Sequence, residues 1–170
     1  MWYNRYSMKK LLILIACLPV LAFAQGSAPT RTYSLADSSV YTKLKTNLNG
    51  SVKLETGLSM PLMSQGNLLV TSNVAYVQNV DNLWNDNAWT TGVTLNYRLG
   101  KTWAVYTKTS TNLTGDWAQE SGVRTTIWRA SNYSVGANAG YVLDYPFRNS
   151  QSAKWTAGVT VSFPVDKLFK

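Results

Sequence analysis

Between Ser39 and Phe163 apolar and polar residues alternate with a period of two, with no sustained helical period and no long apolar run. Trp155-Thr156-Ala157-Gly158-Val159-Thr160-Val161-Ser162-Phe163 places Trp, Ala, Val, Val and Phe on one face and Thr, Gly, Thr and Ser on the other, because successive strand residues point to opposite sides. Trp89 to Tyr97 repeats the design, with Trp89, Val93, Leu95 and Tyr97 opposite Thr90, Gly92, Thr94 and Asn96. Tyr133 to Tyr145 does so again. The pattern predicts eight strands, near 39-48, 51-60, 67-78, 89-98, 102-110, 121-130, 133-145 and 155-163.

The connections carry further information. Asn49-Gly50 is a hairpin signal, and Leu99-Gly100-Lys101 and Ser131-Asn132 read as tight turns. Residues 79-88, 111-120 and 146-154 read as longer polar loops. From the third strand onward long and short connections alternate, as in a membrane-spanning barrel with short periplasmic turns and longer outer loops. The predicted fold is all-β, an eight-stranded antiparallel up-and-down transmembrane β-barrel. A soluble periplasmic β-barrel or sandwich binding a small acidic ligand also alternates and is the alternative.

Aromatic placement favours the membrane. Tyr97 and Trp103 flank one short turn, Trp128 and Tyr133 another, and Phe163 closes the last strand. Trp89, Trp117, Tyr145 and Trp155 lie beside the long loops. Two such belts suit the two membrane interfaces, where a ring with an apolar body and a polar tip is favoured. Trp128 fits poorly, because it shares a face with Arg124.

Met8-Lys9-Lys10, the apolar run Leu11 to Leu21 and Ala22-Phe23-Ala24 have the form of a signal peptide with its cleavage site, with Met8 as the expected start. The predicted organisation is a signal peptide at 1-24, an N-terminal periplasmic segment at 25-38, a barrel at 39-163 and a tail at 164-170. Leu14-Ile15-Ala16-Cys17 resembles a lipobox, which makes lipidation of Cys17 the minor alternative.

Composition narrows the chemistry. The chain has no His and one Cys, which excludes Ser-His-Asp and Cys-His catalysis, His-ligated zinc and an internal disulfide. No Gly-rich phosphate loop, EF-hand spacing or basic run appears, so no cofactor, metal or nucleic acid is expected. Losing Arg5, Lys9 and Lys10 with the signal peptide takes the formal charge from +8 to +5.

With the apolar faces outward, Lys43, Lys45, Lys53, Arg98, Lys108 and Arg124 face the lumen, with Glu55 the one inward acid. Asp81, Asp86, Asp116, Glu120 and Asp144 fall in or beside the long loops. The expected lumen is basic. It suits either a hydrated polar plug, since eight strands leave only enough interior for side chains, or a narrow anion-preferring pore.

The architecture over 39–163 resembles the small eight-stranded bacterial outer-membrane barrels of the OmpA/OmpX-like class. Thr156-x-Gly158-x-x-Val161-x-Phe163 looks like the terminal-strand signal by which that class is recognised for assembly, although Pro164 to Lys170 follow it here. The resemblance implies location in a Gram-negative outer membrane. It also implies outer-membrane lipid, lipopolysaccharide and the barrel-assembly machinery as partners, with small anionic solutes as candidate ligands. The enzymes of the wider class use a catalytic His, so no enzymatic activity is expected of this chain.

Overall fold

The computed structural model describes residues 33–81, 87–145 and 152–168. The expected signal peptide with Cys17, and the loop residue Asp86, lie outside the described residues. Eight strands form: β1 (Ser39–Asn47), β2 (Val52–Gln65), β3 (Leu68–Asn79), β4 (Ala88–Arg98), β5 (Trp103–Asn112), β6 (Trp117–Arg129), β7 (Ser134–Tyr145) and β8 (Ser152–Pro164). Each pairs antiparallel with its chain neighbour, and β8 pairs with β1 to close an up-and-down barrel. Closure leaves no free sheet edge. At the seam Val40 stands opposite Phe163 and Lys45 opposite Gly158. A 3-10 turn at Leu35–Asp37 precedes β1, and one helical turn, α1 (Val165–Leu168), follows β8. The Val165 amide donates to the Ser38 carbonyl at 2.8 Å, tying the two together.

Strand pleating sorts the side chains into two sets. Odd-numbered residues of β1 to β3 and even-numbered residues of β4 to β8 face inward, the parity changing where Ala75 pairs with Thr90 and reversing in β2 beyond Pro61 and in β6 beyond Thr126, where the register shifts. Outward positions expose Leu44, Val74, Val93, Val105, Val123 and Val159, while inward ones bury Glu55, Asn73, Thr94, Asn96 and Glu120. The polarity is inverted relative to a water-soluble protein, with apolar side chains outside and polar ones within.

Several strands exceed their expected lengths, β8 among them, which starts at Ser152 rather than 155 and takes in part of the expected loop 146-154. β2 runs to Gln65 rather than 60, carrying Pro61 at a bulge between Pro61 and Met63, where a missing N–H donor is tolerated. β6 starts at Trp117 rather than 121, so the expected loop 111-120 is mostly strand. What remains is a turn at 113–116. There the Asn112 side-chain oxygen accepts from the amides of Thr114 (3.1 Å) and Asp116 (2.9 Å), and Gly115 takes a left-handed φ of 87°. The turn 48–51 is built alike: Asn47 accepts from the amides of Asn49 and Ser51, each at 3.0 Å, and Gly50 has φ 84°. The end of the barrel away from the termini therefore has two short turns alternating with two longer connections, 80–87 and 146–151.

Candidate functional site

Lys43, Lys45, Lys53, Glu55, Arg98, Lys108 and Arg124 all line the barrel interior. Three charges expected elsewhere join them: Glu120, Asp144 and Lys154 also point inward. Glu55 is therefore not the one acid of the lumen. Asp144 and Lys154 pair with each other near the outer end.

Glu55 and Glu120 organise the middle of the lumen, and both are buried, at 8% and 6% exposure. Tyr41 Oη donates to Glu55 Oε1 at 2.6 Å, and Lys108 Nζ donates to the same oxygen at 2.6 Å. On the opposite wall Tyr106 Oη donates to Glu120 Oε1 at 2.5 Å. Lys45 Nζ reaches Glu120 Oε2 at 2.5 Å and Lys43 Nζ lies 3.5 Å from Oε1. Asn138 Nδ2 adds bonds to Tyr106 Oη (3.1 Å) and to Glu120 Oε1 (3.4 Å). Charges withdrawn from water require such partners, so the layer is a closed polar network. It divides the interior into an outer cavity of about 130 Å³ and a larger one of about 520 Å³ opening at the end where the termini lie.

The two walls are near copies. Val40-Tyr41-Thr42-Lys43 recurs as Val105-Tyr106-Thr107-Lys108, and Thr46-Asn47-Leu48 recurs as Thr111-Asn112-Leu113. Glu55-Thr56-Gly57 recurs as Glu120-Ser121-Gly122 and Tyr76-Val77 as Tyr141-Val142, at one constant offset. One residue later in register, Trp89-Thr90-Thr91-Gly92-Val93-Thr94 matches Trp155-Thr156-Ala157-Gly158-Val159-Thr160. The β2 bulge between Pro61 and Met63 has its counterpart in β6 between Thr126 and Trp128. β1 to β4 and β5 to β8 are thus two copies of one four-stranded unit, related by a pseudo-two-fold axis along the barrel. Each lysine bonds the glutamate of the other copy, Lys108 to Glu55 and Lys43 to Glu120.

Glycine makes room for this layer. Tyr41 stands opposite Gly57 and Tyr106 opposite Gly122 in the ladder. A Cβ at Gly57 would lie 2.4 Å from the Val74 carbonyl oxygen, and one at Gly122 would lie 2.2 Å from that of Ala139. The sheet closes in at these points, leaving space for each tyrosine ring to turn toward its glutamate.

Apart from Tyr41 and Tyr106, the strand aromatics lie outward in two bands. Near the outer end Tyr76 packs on Trp89 (ring centroids 5.3 Å apart), Tyr141 on Trp155 (5.2 Å), and Trp117 stacks on Tyr145 (3.8 Å). Near the other end Tyr133 meets Phe163 at 6.2 Å, while Tyr97 and Trp103 occupy the ends of β4 and β5. The β6 bulge moves Trp128 to the outer face, opposite Val135, which removes its conflict with Arg124. Of the terminal-strand residues, Thr156 and Gly158 face inward and Val161 and Phe163 outward, on the strand that closes the barrel.

Alternation missed Glu120 because Gln119, Glu120 and Ser121 are polar on both faces. The internal repeat would have found it: Glu120 stands in the second copy where Glu55 stands in the first.

The sequence matches no protein-family model and no curated protein. Among solved structures, a barrel from work titled "De novo design of transmembrane beta-barrels" aligns with a TM-score of 0.51 at 15% identity, over 78% of this chain and 99% of its own. The designed barrel TMB2.3, solved by NMR, aligns at 0.46 and 12% identity, over 76% of this chain and 94% of its own. Neisserial surface protein A aligns at 0.37 and 13% identity, over 74% of this chain and 94% of its own. The first of these likenesses supports the closed eight-stranded barrel as the fold of this chain.

Proposed function

We propose that this chain is an integral outer-membrane barrel of a Gram-negative envelope, non-enzymatic, with its lumen plugged by the Glu55–Glu120 layer and a structural or surface-interaction role. One observation carries the reading: the inverted polarity, with a belt of exposed Leu, Val and Trp side chains around a lumen of hydrogen-bonded charges. A soluble barrel would leave that belt in water, well beyond the apolar patches that monomeric proteins expose. A bilayer removes the cost, and the two aromatic bands suit its interfaces. The belt would contact lipid and lipopolysaccharide, and Thr156, Gly158, Val161 and Phe163 on the closing strand would present the assembly signal. Electrophoresis in SDS with and without boiling tests the proposal. A folded barrel migrates anomalously until heated; a carbonate-extractable protein with no heat shift would instead support the soluble alternative.

The excess of inward cations supports a second reading, the narrow anion-preferring channel. The plug is favoured because both acids of the central layer are engaged by lysines from opposite walls, filling an interior that eight strands leave barely open. Planar-bilayer conductance separates the two. The plug predicts no resolved steps, and the channel predicts steps with anion preference.

A further inference from the structure

The two copies of the four-stranded unit diverge in charge at both ends of the barrel, including the mouth near the termini. Arg124 stands where the first copy has Ser59, and Arg98 stands where the second has Pro164. These two departures fall on one rung: Arg98 pairs with Ala104, and Ala104 with Arg124. Strands lie about 4.8 Å apart, so the two Cα atoms are about 10 Å apart across a small residue that leaves the space between them open. Both line the 520 Å³ cavity. Among the described residues neither guanidinium takes part in a hydrogen bond or ion pair. Asp37, at the mouth of the cavity, is bonded by the backbone N–H and hydroxyl of Ser34, at 2.9 and 3.0 Å.

The wall beside the two arginines is polar. Asn96, two residues before Arg98 on the same inward face, is 2% exposed and lines the same cavity, yet both polar atoms of its amide lack a protein partner. The Asn138 side-chain oxygen is likewise buried without a partner. Unpaired guanidiniums match oxyanions through parallel N–H donors. Ser39, Ser59 and Ser162 supply hydroxyls around the rest of the wall.

We propose that this cavity is a binding site for a small hydroxylated phosphate monoester. Arg98 and Arg124 grip the phosphate over Ala104, and the serine hydroxyls of the wall bond the hydroxylated part. A volume of about 520 Å³ falls within the usual range for small-ligand sites. The proposal rests on the barrel reading only for which compartment the cavity faces.

The test uses the chain refolded in zwitterionic micelles and titrated calorimetrically with glycerol 1-phosphate, with glycerol as the neutral control. Saturable binding of the phosphate alone is expected, weakened at least tenfold in R98Q and in R124Q, with heat-modifiable migration retained. K53Q, which alters the other cavity, should bind as the parent does. If either glutamine variant fails to refold, R98K and R124K keep the charge but lose the paired donors, and should weaken binding several-fold. Response to the free ester identifies a solute site; response only in micelles doped with short-chain phosphatidic acid identifies a lipid headgroup, and both support the phosphate chemistry. Absence of saturable binding in both arms, parental affinity in R98Q/R124Q, or loss of binding in K53Q would each overturn the proposal. Heat modifiability is read separately, so failure of the barrel reading and failure of this site remain distinguishable.

Discussion

Glu55 and Glu120 face each other from opposite walls of the barrel, and each is bonded by a lysine from the other's half of the chain. The halves are therefore joined across the lumen as well as around its circumference. The two acids are unequal, because Glu120 meets Lys43, Lys45 and Tyr106, while Glu55 meets Lys108 and Tyr41.

Removing one partner from a buried ion pair typically costs about 3 to 5 kcal/mol, because the other charge is stranded. Glu120→Gln strands two lysines, so it should destabilise the refolded barrel by about that amount and by more than Glu55→Gln does. Urea unfolding in micelles measures both. An equal loss at the two positions would contradict the inequality of the two clusters.

Lys108→Met alone should be costly, whereas Lys108→Met combined with Glu55→Met should recover most of the loss, because a buried pair replaced by apolar groups is often close to neutral. The double variant also removes one of the two cross-lumen links. Its conductance in planar bilayers reports whether the remaining Glu120 cluster alone keeps the lumen closed, and the plug predicts that it does.

Alternation revealed the strands, their faces and seven of the inward charges, since a belt of Val, Leu and Trp opposite Thr, Gly and Asn gives the pattern its amplitude. It failed where the outer face turns polar. Thr107, Thr109 and Thr111 on β5 and Gln119 and Ser121 on β6 face outward but are no more apolar than their inward neighbours, so the hydrogen-bonded ladder continues where the pattern fades. Hydrophobic periodicity marked the height of the apolar belt rather than the length of the strands. The bulges in β2 and β6 were hidden for another reason: one extra residue reverses the parity beyond it, which is why Trp128 shared a face with Arg124 in the unbulged reading.

Val123 and Val159 lie on the outer face, 40% and 48% exposed. Replacing either with Lys or Arg should cost about 2 to 4 kcal/mol if the belt lies in hydrocarbon, and close to nothing in a soluble barrel. Reversible unfolding from lipid vesicles checks this directly.

Gly122→Ala should be among the most damaging single-methyl changes, because its Cβ would lie 2.2 Å from a backbone oxygen on the adjoining strand. Gly100→Ala, where nothing lies within 4 Å, should leave stability within about 1 kcal/mol of the parent. Refolding yield and heat-modifiable migration distinguish the two variants.

The duplication also predicts tolerance of a new chain order. Linking Leu168 to Tyr33 and opening the chain between Gly100 and Lys101 moves the second four-stranded unit to the front, with all four termini at the same mouth of the barrel. The permuted chain should refold with the parental strand content by circular dichroism and keep its heat shift.

The cross-lumen bonds between near-identical halves also bear on how such a barrel changes over time. With Tyr41, Lys43 and Glu55 echoed by Tyr106, Lys108 and Glu120, closure depends on features held in duplicate, and each wall carries a complete set of the shape-defining glycines and bulges. That redundancy frees the rim to diverge. Each half carries one arginine at the mouth where the other has a neutral residue, Arg98 against Pro164 and Arg124 against Ser59, so a duplicated scaffold presents an asymmetric rim within a single small chain.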